Sequence, residues 1–269
     1  MATITDPKIP KIIYSRTSKK VMEGEIFIKQ HVFDYIISGT SEVIFDGKTY
    51  HFSAGDFRFA VRNRLSKFIK VPPDGQEYRS VSICIDHNTL MELKKLYSVS
   101  DVKVGADAFK NVFLLKKNKL FKNYVDSLLP YLENGNEISQ QLIRLKIKEA
   151  VMIFIEANPN LIAILFDFSE PGKIDLEAYM NEHYLFHGEL EQFAYLTGRS
   201  LSTFKRDFQR IFMTTPNKWL VQKRLNSAYY LIKERGVSPS DACMDTGFKN
   251  YSHFSVSFKK TFGMSPSFA

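Results

Sequence analysis

The stretches FKRDFQRIFMTTP (Phe204–Pro216) and FSVSFKKTFGMSP (Phe254–Pro266) decide the fold of the second half of the chain, because they read as two copies of one helix. Each has three phenylalanines at four-residue steps and a proline at the same offset, and the copies lie fifty residues apart. At about 100° per residue, a helix gathers such phenylalanines on one side. The polar residues around the first copy fall opposite or on the flank: Ser202, Lys205, Arg206, Gln209 and Arg210.

Each copy follows a shorter helical segment that ends in a glycine turn, LEQFAYLTG (190–198) in the first case and SDACMDTGF (240–248) in the second. Two helices joined by a short turn containing glycine form a helix-turn-helix, whose second helix enters the DNA major groove. Arg, Lys and Ser side chains can bond base edges there. We therefore expect two helix-turn-helix units and double-stranded DNA as the partner.

Capping residues in the last hundred positions mark where helices begin and end. The candidate N-caps, whose side-chain oxygens can accept from unpaired backbone N–H groups, are Ser200, Thr215, Ser238, Asn250 and Ser265. Pro216, Pro239 and Pro266 are predicted at first helical positions, where no N–H is needed. A helix from Pro216 to Gly236 would be about 30 Å long, enough to space two units in major grooves about 34 Å apart. We predict seven short helices around this connector.

The positive charge is concentrated on the repeated helices. The net charge is +8, and residues 197–269 hold twelve Lys/Arg against four Asp/Glu, whereas residues 170–196 hold one Lys against six acids. This placement favours an acidic polymer as partner.

The front half is predicted to be β-rich from residue 20 to about 87. Asp46-Gly47 lies between two apolar runs and is a strong hairpin signal. Alternation over Ser80–Ile85 predicts a strand with one buried face, and the short strands favour a small barrel or sandwich. From about residue 88 the period becomes helical, with a predicted apolar stripe of Leu120, Tyr124, Leu128 and Tyr131. Ser169–Gly172 has the turn composition of a domain boundary.

No residue pattern indicates an enzyme. His31, His51 and His87 stand alone, without a His-x-His pair, so we predict no metal, no cofactor and no catalytic residue, and we assign no ligand-binding residue. Cys84 and Cys243 are predicted to be core thiols. Because we find neither a signal peptide nor a run of about 20 apolar residues, we expect a cytoplasmic protein without a membrane partner.

Residues 172–269 resemble the DNA-binding domain of the AraC/XylS family of bacterial transcription regulators. The matching residues are Phe193-Ala194, Gly198, Ser200, Phe204, Arg206, Phe208, Phe212, Pro216, Trp219-Leu220, Arg224-Leu225, Ala228, Leu231-Ile232, Gly247-Phe248, Phe254, Phe258-Lys259-Lys260, Gly263 and Ser265-Pro266. The resemblance implies two helix-turn-helix units joined by a long helix. It also implies base-facing residues: Ser202, Lys205 and Arg206 in the first unit, and Tyr251, Ser252 and Val256 in the second. The further DNA-binding candidates are Thr203, Arg210, Asn250, His253 and Lys260.

Three departures from the family pattern are visible. Val256 stands where the family commonly has arginine, which predicts loss of a guanine-binding fork and contact with a thymine methyl instead. Met213-Thr214 replaces the usual glycine after the first recognition helix, which predicts a tighter or less regular turn. The first unit has Gly198-Arg199 where the second has Gly247-Phe248.

The front half, through His31–Phe57, resembles the cupin-like sensory and dimerisation domains of the same family. The resemblance implies an α+β protein: a β-rich cupin-like barrel with appended helices over residues 1–168, and an all-α DNA-binding domain over 169–269. It implies a homodimer that activates transcription by contacting RNA polymerase.

Two forms of control stay open for the front domain. In the first, it responds to a small molecule. In the alternative, it is held by a regulatory protein, as in the similar branch of activators tied to type III secretion. Apolar volume inside the barrel would favour the first, and an exposed apolar groove beside helix 118–132 the second. The side chains considered as pocket lining are Glu42, Asp56, Arg58 and Arg62, whereas Tyr35, Phe57 and Phe59 are predicted core.

Overall fold

A computed structural model of the chain describes residues 11–45, 48–97, 112–133 and 139–269. The chain divides into two compact units, one formed by Met1–Glu23 and Ile28–Ser169, and the other by Gly24–Phe27 and Glu170–Ala269. The first combines two β-sheets with helices, whereas residues 170–269 contain only helices and their connections. The predicted α+β class is therefore confirmed.

The β-strands of the described residues form two sheets. The strands are β1 (Lys11–Thr17), β2 (Val21–Ile28), β3 (His31–Ser38), β4 (Thr40–Phe45), β5 (Lys48–Ser53), β6 (Phe57–Ala60), β7 (Arg64–Val71), β8 (Tyr78–Ile85) and β9 (Val112–Leu114). A five-stranded antiparallel sheet has the order β1-β8-β3-β6-β9, and a four-stranded sheet has the order β2-β7-β4-β5. Strands β1 and β9 lie outside the predicted β region. The three-residue β9 is too short for a periodic signal and is held by pairing with β6.

The predicted hairpin is confirmed as β4 and β5. These strands pair antiparallel, with Val43 opposite Tyr50 and Phe45 opposite Lys48. The turn residues Asp46-Gly47 lie outside the described residues.

Strand β8 is buried on both faces, so the prediction of one buried face is wrong. Val81 and Ile83 pack in the cluster that includes the helices, whereas Tyr78 belongs to a second cluster with side chains of the other sheet. Ser80 and Cys84, on the same face as Tyr78, are also buried. Alternation in the sequence distinguishes two faces but does not show that both are covered.

The helices of the first unit pack against the five-stranded sheet. They are α1 (His87–Leu96), α2 (Lys119–Glu133), α3 (Gln140–Ala157) and α4 (Ile162–Leu165). The stripe predicted on α2 is only half right, because Tyr124 and Leu128 are buried but Leu120 is 50% and Tyr131 39% exposed. Phe121 occupies the core instead, with its ring 4.6 Å from that of Phe57.

A charged pair lies between the two sheets. The Arg58 guanidinium donates from Nε to Asp34 Oδ2 at 2.9 Å and from Nη1 to the Ser41 hydroxyl at 3.0 Å. Both partners of the ion pair are buried. The guanidinium also lies 5.1 Å from the Phe52 ring centroid and 5.5 Å from that of Phe68. Of the four side chains considered as pocket lining, Arg58 is thus the one that lies buried between the two sheets.

The other three candidates make separate contacts. Glu42 lies 3.4 Å from exposed His51, Asp56 accepts from the Ser53 N–H at 2.8 Å, and Arg62 donates to the Ser169 carbonyl at 3.1 Å. The core assignment of Phe57 and Phe59 is confirmed, whereas Tyr35 is half-buried against Phe57.

His31 and the cysteines are core residues. Burial, followed by the charges of Arg62 and Arg64, lowers the pKa of His31 to about 3, so the imidazole is neutral and Nδ1 accepts from the Arg62 N–H. Cys84 and Cys243 are both buried, as predicted, and burial raises the pKa of each thiol.

Residues 170–269 form α5 (Leu176–His183), α6 (Leu190–Leu196), α7 (Leu201–Phe212), α8 (Pro216–Arg235), α9 (Pro239–Asp245), α10 (Tyr251–Phe262) and a 3₁₀ turn (Pro266–Phe268). The predicted long connector is α8, but five short α-helices surround it rather than seven. All five predicted N-caps hold that position, and side-chain capping bonds form at Ser200, Ser238 and Asn250. The three prolines start their elements as expected.

Candidate nucleic-acid interface

Helix α7 is held by aromatic packing on the first half of α8. Phe204 and Phe208 are fully buried. Phe212 stacks on Phe208 at 4.3 Å, and Trp219 of α8 packs edge-on to Phe208 at 5.6 Å and against Phe212 at 4.8 Å. The phenylalanine face of α7 therefore points inward, and its opposite face is turned to solvent.

Helix α10 repeats this arrangement on the second half of α8. Phe254 and Phe258 are fully buried, and Tyr229 of α8 stacks on Phe258 at 6.1 Å and on Phe262 at 4.7 Å. Each phenylalanine set thus packs against one aromatic residue of the connector. The repeat in sequence is a repeat in packing, with α8 as the shared support.

The turns of the two helix-turn-helix units share one hydrogen-bond pattern. After α6, the Arg199 N–H donates to the Ala194 carbonyl at 2.9 Å, and after α9 the Phe248 N–H donates to the Cys243 carbonyl at 3.1 Å. The residue before each is a glycine in the left-handed region, with φ of 66° at Gly198 and 89° at Gly247. Only glycine adopts this conformation without strain. The second turn contains one more residue before its helix, Lys249, than the first.

A charged pair in the first helix-turn-helix unit stands where the second helix-turn-helix unit has an apolar contact. Phe248 is buried and packs against Phe254 at 5.1 Å. At the matching position, Arg199 donates from Nε to Asp207 of α7 at 3.2 Å, and both side chains are 7% exposed. This hydrogen bond, together with the charge of Lys173, lowers the pKa of Asp207. Arg199 therefore braces α7 and belongs to the scaffold rather than to the exposed basic face.

Arg224 of α8 also has a structural role, which sequence reasoning did not assign. Its guanidinium donates to the backbone carbonyls of Tyr184, Phe186 and Gly247 at 2.8, 2.6 and 3.0 Å. Burial lowers its pKa to about 10. Arg224 ties the segment before α6 to the turn of the second unit. The family match at this position was the one signal in the sequence that pointed to it.

The outward face of α7 carries the first set of candidate DNA contacts. Ser202, Lys205, Arg206 and Arg210 are exposed. The Arg206 and Arg210 side chains are each 78% exposed, and each has a nitrogen 3.9 Å from Asp207 Oδ1. Thr203 is half-buried and takes part in the cap, because its N–H and hydroxyl contact Ser200 Oγ at 3.3 and 3.0 Å.

The outward face of α10 carries the second set, and its chemistry differs. The candidates on it are Asn250, Tyr251, Ser252, His253, Val256 and Lys260, and all six are exposed. Asn250 uses its side-chain carbonyl to cap the helix, accepting from the His253 N–H at 3.1 Å. Val256 is 70% exposed, so an aliphatic side chain stands on this otherwise polar face.

The turn after α7 is regular, so the prediction of a tighter or irregular turn is wrong. Met213 adopts the left-handed cap conformation (φ 54°, ψ 23°), and its N–H donates to the Gln209 carbonyl at 3.0 Å. Gly263 does the same after α10, with φ 76° and a 2.9 Å bond to the Lys259 carbonyl. Helices α7 and α10 are both 12 residues long. Met213 keeps the geometry at the cost of backbone strain.

Replacing Met213 by glycine is expected to raise the free energy of unfolding by about 0.5–1 kcal/mol, because relief of left-handed strain exceeds the entropy that glycine loses. Met213 is 80% exposed, so little burial is lost. Urea unfolding followed by the fluorescence of Trp219, the one tryptophan of the chain, measures the change.

The matched control for this substitution is Gly263→Ala. A Cβ at Gly263 meets nothing within 4 Å, so the substitution tests conformation without a clash. It is expected to lower the free energy of unfolding by about 1 kcal/mol. A stabilising effect of Gly263→Ala would contradict the left-handed assignment.

Two other kinds of feature, a membrane-spanning helix and a metal cluster, are absent from the part of the chain that the structure describes. None of the helices there combines the length and apolar character needed to cross a bilayer. The same part of the chain contains no group of three or more His, Cys, Asp or Glu residues arranged to hold a metal ion.

Two family models match the chain. A helix-turn-helix domain matches residues 193–268, and the ExsA N-terminal regulatory domain matches residues 31–164. The first contains both α7 and α10, and the second contains most of the two sheets and α1–α3.

Curated relatives are bacterial transcription regulators. The HTH-type transcriptional regulator ExsA of Pseudomonas aeruginosa is 31% identical over 134 residues, which is 49% of this chain and 48% of ExsA. The virulence regulon transcriptional activator VirF of Yersinia enterocolitica is 25% identical over 171 residues, 63% of each chain. The chain thus spans about half to two thirds of the length of the curated relatives it matches.

The fold is shared with a solved structure. The crystal structure of an apo ToxT variant from Vibrio cholerae aligns with a TM-score of 0.51 and 12% identity, over 95% of this chain and 94% of that one. At this identity the likeness concerns the fold alone.

Proposed function

The chain belongs to the AraC/XylS family of transcription regulators, and we propose that it binds specific DNA sequences through residues 169–269 and activates transcription. The observation that carries this proposal is that α7 and α10 pack their phenylalanine faces on α8 in the same way. Two exposed polar faces built in the same way suit two successive major grooves, which recur about every 34 Å. The 20-residue α8, about 30 Å long, supplies a spacer of that scale.

Individual residues take different parts in this proposal. Ser202, Lys205 and Arg206 read bases in the first groove, and Tyr251, Ser252 and Val256 read them in the second. Arg210 and Lys260, near the C-terminal ends of their helices, contact phosphates. Thr203, Asn250 and His253 lie at the helix N-termini, where backbone N–H groups also approach phosphate. The contacts described above for Arg199 and Arg224 give them no part in reading DNA.

Replacing Arg206 by alanine is expected to weaken binding to the cognate site by about 1–3 kcal/mol and to relax the preference at one base position. The guanidinium can bond the O6 and N7 atoms of guanine as a fork, which alanine cannot do. Titration of the full chain against the cognate duplex and against duplexes with each base pair changed measures both effects.

Arg206→Lys is the matched control, because it keeps the charge and removes the fork. It is expected to retain most of the affinity for unrelated duplexes and to show a weaker base preference than Arg206, because an ammonium lacks the planar fork. An equal loss on every sequence with Arg206→Ala would assign Arg206 to phosphate and remove it from the reading set.

We further propose that residues 1–168 form the regulatory and dimerisation domain. The match to an N-terminal regulatory domain over residues 31–164 supports this role. A homodimer would place two DNA-binding domains on tandem sites beside a promoter, where contact with RNA polymerase positions the enzyme. Because such DNA lies in the bacterial cytoplasm, we propose that compartment for the protein.

The agent that acts on the front domain is proposed as either a small molecule or a regulatory protein, and one observation favours the protein. The space between the sheets is occupied around the buried pair of Arg58 and Asp34 by aromatic side chains. A recess on the same unit is polar and is lined by Tyr14, Arg16, Gln76, Glu77, Arg79 and Glu133. Neither feature is an apolar cavity for a small molecule, whereas α2 exposes Leu120 and Tyr131.

A further inference from the structure

The two recognition helices carry opposite chemistry at one equivalent position. Arg206 in α7 and Val256 in α10 are each two residues after a buried phenylalanine and two before the next, so they occupy the same place on the same scaffold. Both point directly away from the packed face, because two residues on a helix correspond to about 200° of rotation. The first unit therefore presents a guanidinium where the second presents two methyl groups.

The surroundings of Val256 make it the centre of a mixed face. Ser252 and Lys260 lie one helical turn before and after it, at the i±4 positions that share a face. His253 lies three residues before it on the same side. All three are exposed. Polar and basic groups thus surround an aliphatic side chain that has no packing role in the described structure and is 70% exposed.

The major groove offers an apolar partner at one base only. Guanine, cytosine and adenine present hydrogen-bonding groups on that edge, whereas thymine presents its C5 methyl group beside an acceptor. An aliphatic side chain that reaches the groove gains free energy by burying that methyl and discriminates against the other bases. Arginine, in contrast, selects guanine.

We propose that the second unit reads a thymine methyl through Val256, so that the two units of one chain read an asymmetric site. This inference rests on the proposed function and deepens it. Arg206 selects a guanine in the first groove, and Val256 selects a T·A pair in the second. The duplication supplies two recognition helices that are packed in the same way. Because they differ at this one position, each helix selects a different base.

The test replaces single thymines by deoxyuridine, which pairs like thymine but lacks the C5 methyl. Duplexes that the full-length chain enriches from a random-sequence pool serve as the probe. Each thymine of an enriched duplex is replaced in turn, and the affinity of the full chain for each duplex is measured. We expect one replacement for each bound protomer to weaken binding about fourfold, the effect of one buried methyl-sized group, and the other replacements to have little effect.

A double-mutant cycle connects that effect to Val256. Val256→Ala is expected to weaken binding to the thymine duplex by about the same factor for each bound protomer, and to abolish the difference between the thymine and deoxyuridine duplexes. The side chain is exposed and alanine favours helix, so the variant is expected to fold. Thr261→Ala, an exposed position on the same helix but off this face, is the control and should keep the full thymine dependence.

A change of base preference provides an independent test of the role of Val256. Val256→Arg recreates the first unit's chemistry in the second, and selection with this variant is expected to replace the T·A pair by a G·C pair.

The outcomes separate the two levels of the proposal. If no sequence is enriched from the pool, the proposed function fails. If a site is enriched but no deoxyuridine replacement weakens binding, or if the weakening persists in Val256→Ala, then sequence-specific binding stands and the role of Val256 is overturned.

Discussion

Replacing Asp34 by leucine is expected to lower the free energy of unfolding of the β-rich unit by about 3–5 kcal/mol, because it leaves the Arg58 charge buried without its partner. Arg58 is 3% exposed and bonds Asp34 at 2.9 Å, while the Ser82 hydroxyl also donates to Asp34. No solvent is available to replace these interactions. Urea unfolding followed by far-ultraviolet circular dichroism measures the loss, and Trp219 fluorescence reports the helical unit separately.

Removing the second charge is expected to restore stability. In Asp34→Leu/Arg58→Met, both buried charges are gone, and the flexible methionine can pack against the rings of Phe52 and Phe68. Asp126→Ala is the surface control: its pair with Lys122 is exposed, so about 0.5 kcal/mol or less should be lost. Equal effects at Asp34 and Asp126 would mean that water reaches Arg58.

Specific DNA binding is expected to weaken by about 10³–10⁵ between 50 and 200 mM salt if roughly 6–10 phosphates are contacted, because each contact releases condensed counterions. The exposed basic residues of α7 and α10 that are not assigned to bases, and so supply this charge, are Arg210, Lys259 and Lys260. Two protomers bound in tandem would double their number. Titrations of a fluorescent cognate duplex with the full chain at several salt concentrations give the slope.

Individual basic residues can be separated by the same slope. Lys260→Gln should lower affinity on all sequences and reduce the slope by about one for each bound protomer, as expected for a phosphate contact. Lys122→Gln, in the β-rich unit, should leave the slope unchanged. A flat salt response of the unmodified chain would be incompatible with binding through the exposed faces of α7 and α10.

The elements of the helical unit could be predicted from sequence because their signals are local. A capping side chain such as Ser200 acts on an N–H three residues away, and a proline at position 216 acts on its own turn. The phenylalanine spacing likewise sets the buried face within one helix. The candidate interface is the opposite face, so most of its members followed from the same pattern.

The basic residues show where local signals stop. Twelve Lys/Arg follow residue 196, and sequence gives all of them the same charge. The structure commits Arg199 to Asp207 and Arg224 to three carbonyls, the farthest forty residues away. The Arg224 contacts form only when distant segments meet, and the Arg199–Asp207 pair forms only when the turn brings Arg199 back against α7. Neither residue could therefore be told from a DNA contact by composition.

The amino-acid sequence by itself determined that this protein builds one amphipathic helix twice, where each copy starts, and which faces of the copies carry charge, because these properties arise within one or two helical turns. Only the tertiary structure decided which charges face inward, that β8 is covered on both sides, and that Arg58 and Asp34 pair between two sheets. Those outcomes depend on which segments pack together, and burial is a property of the packed chain rather than of any stretch of it.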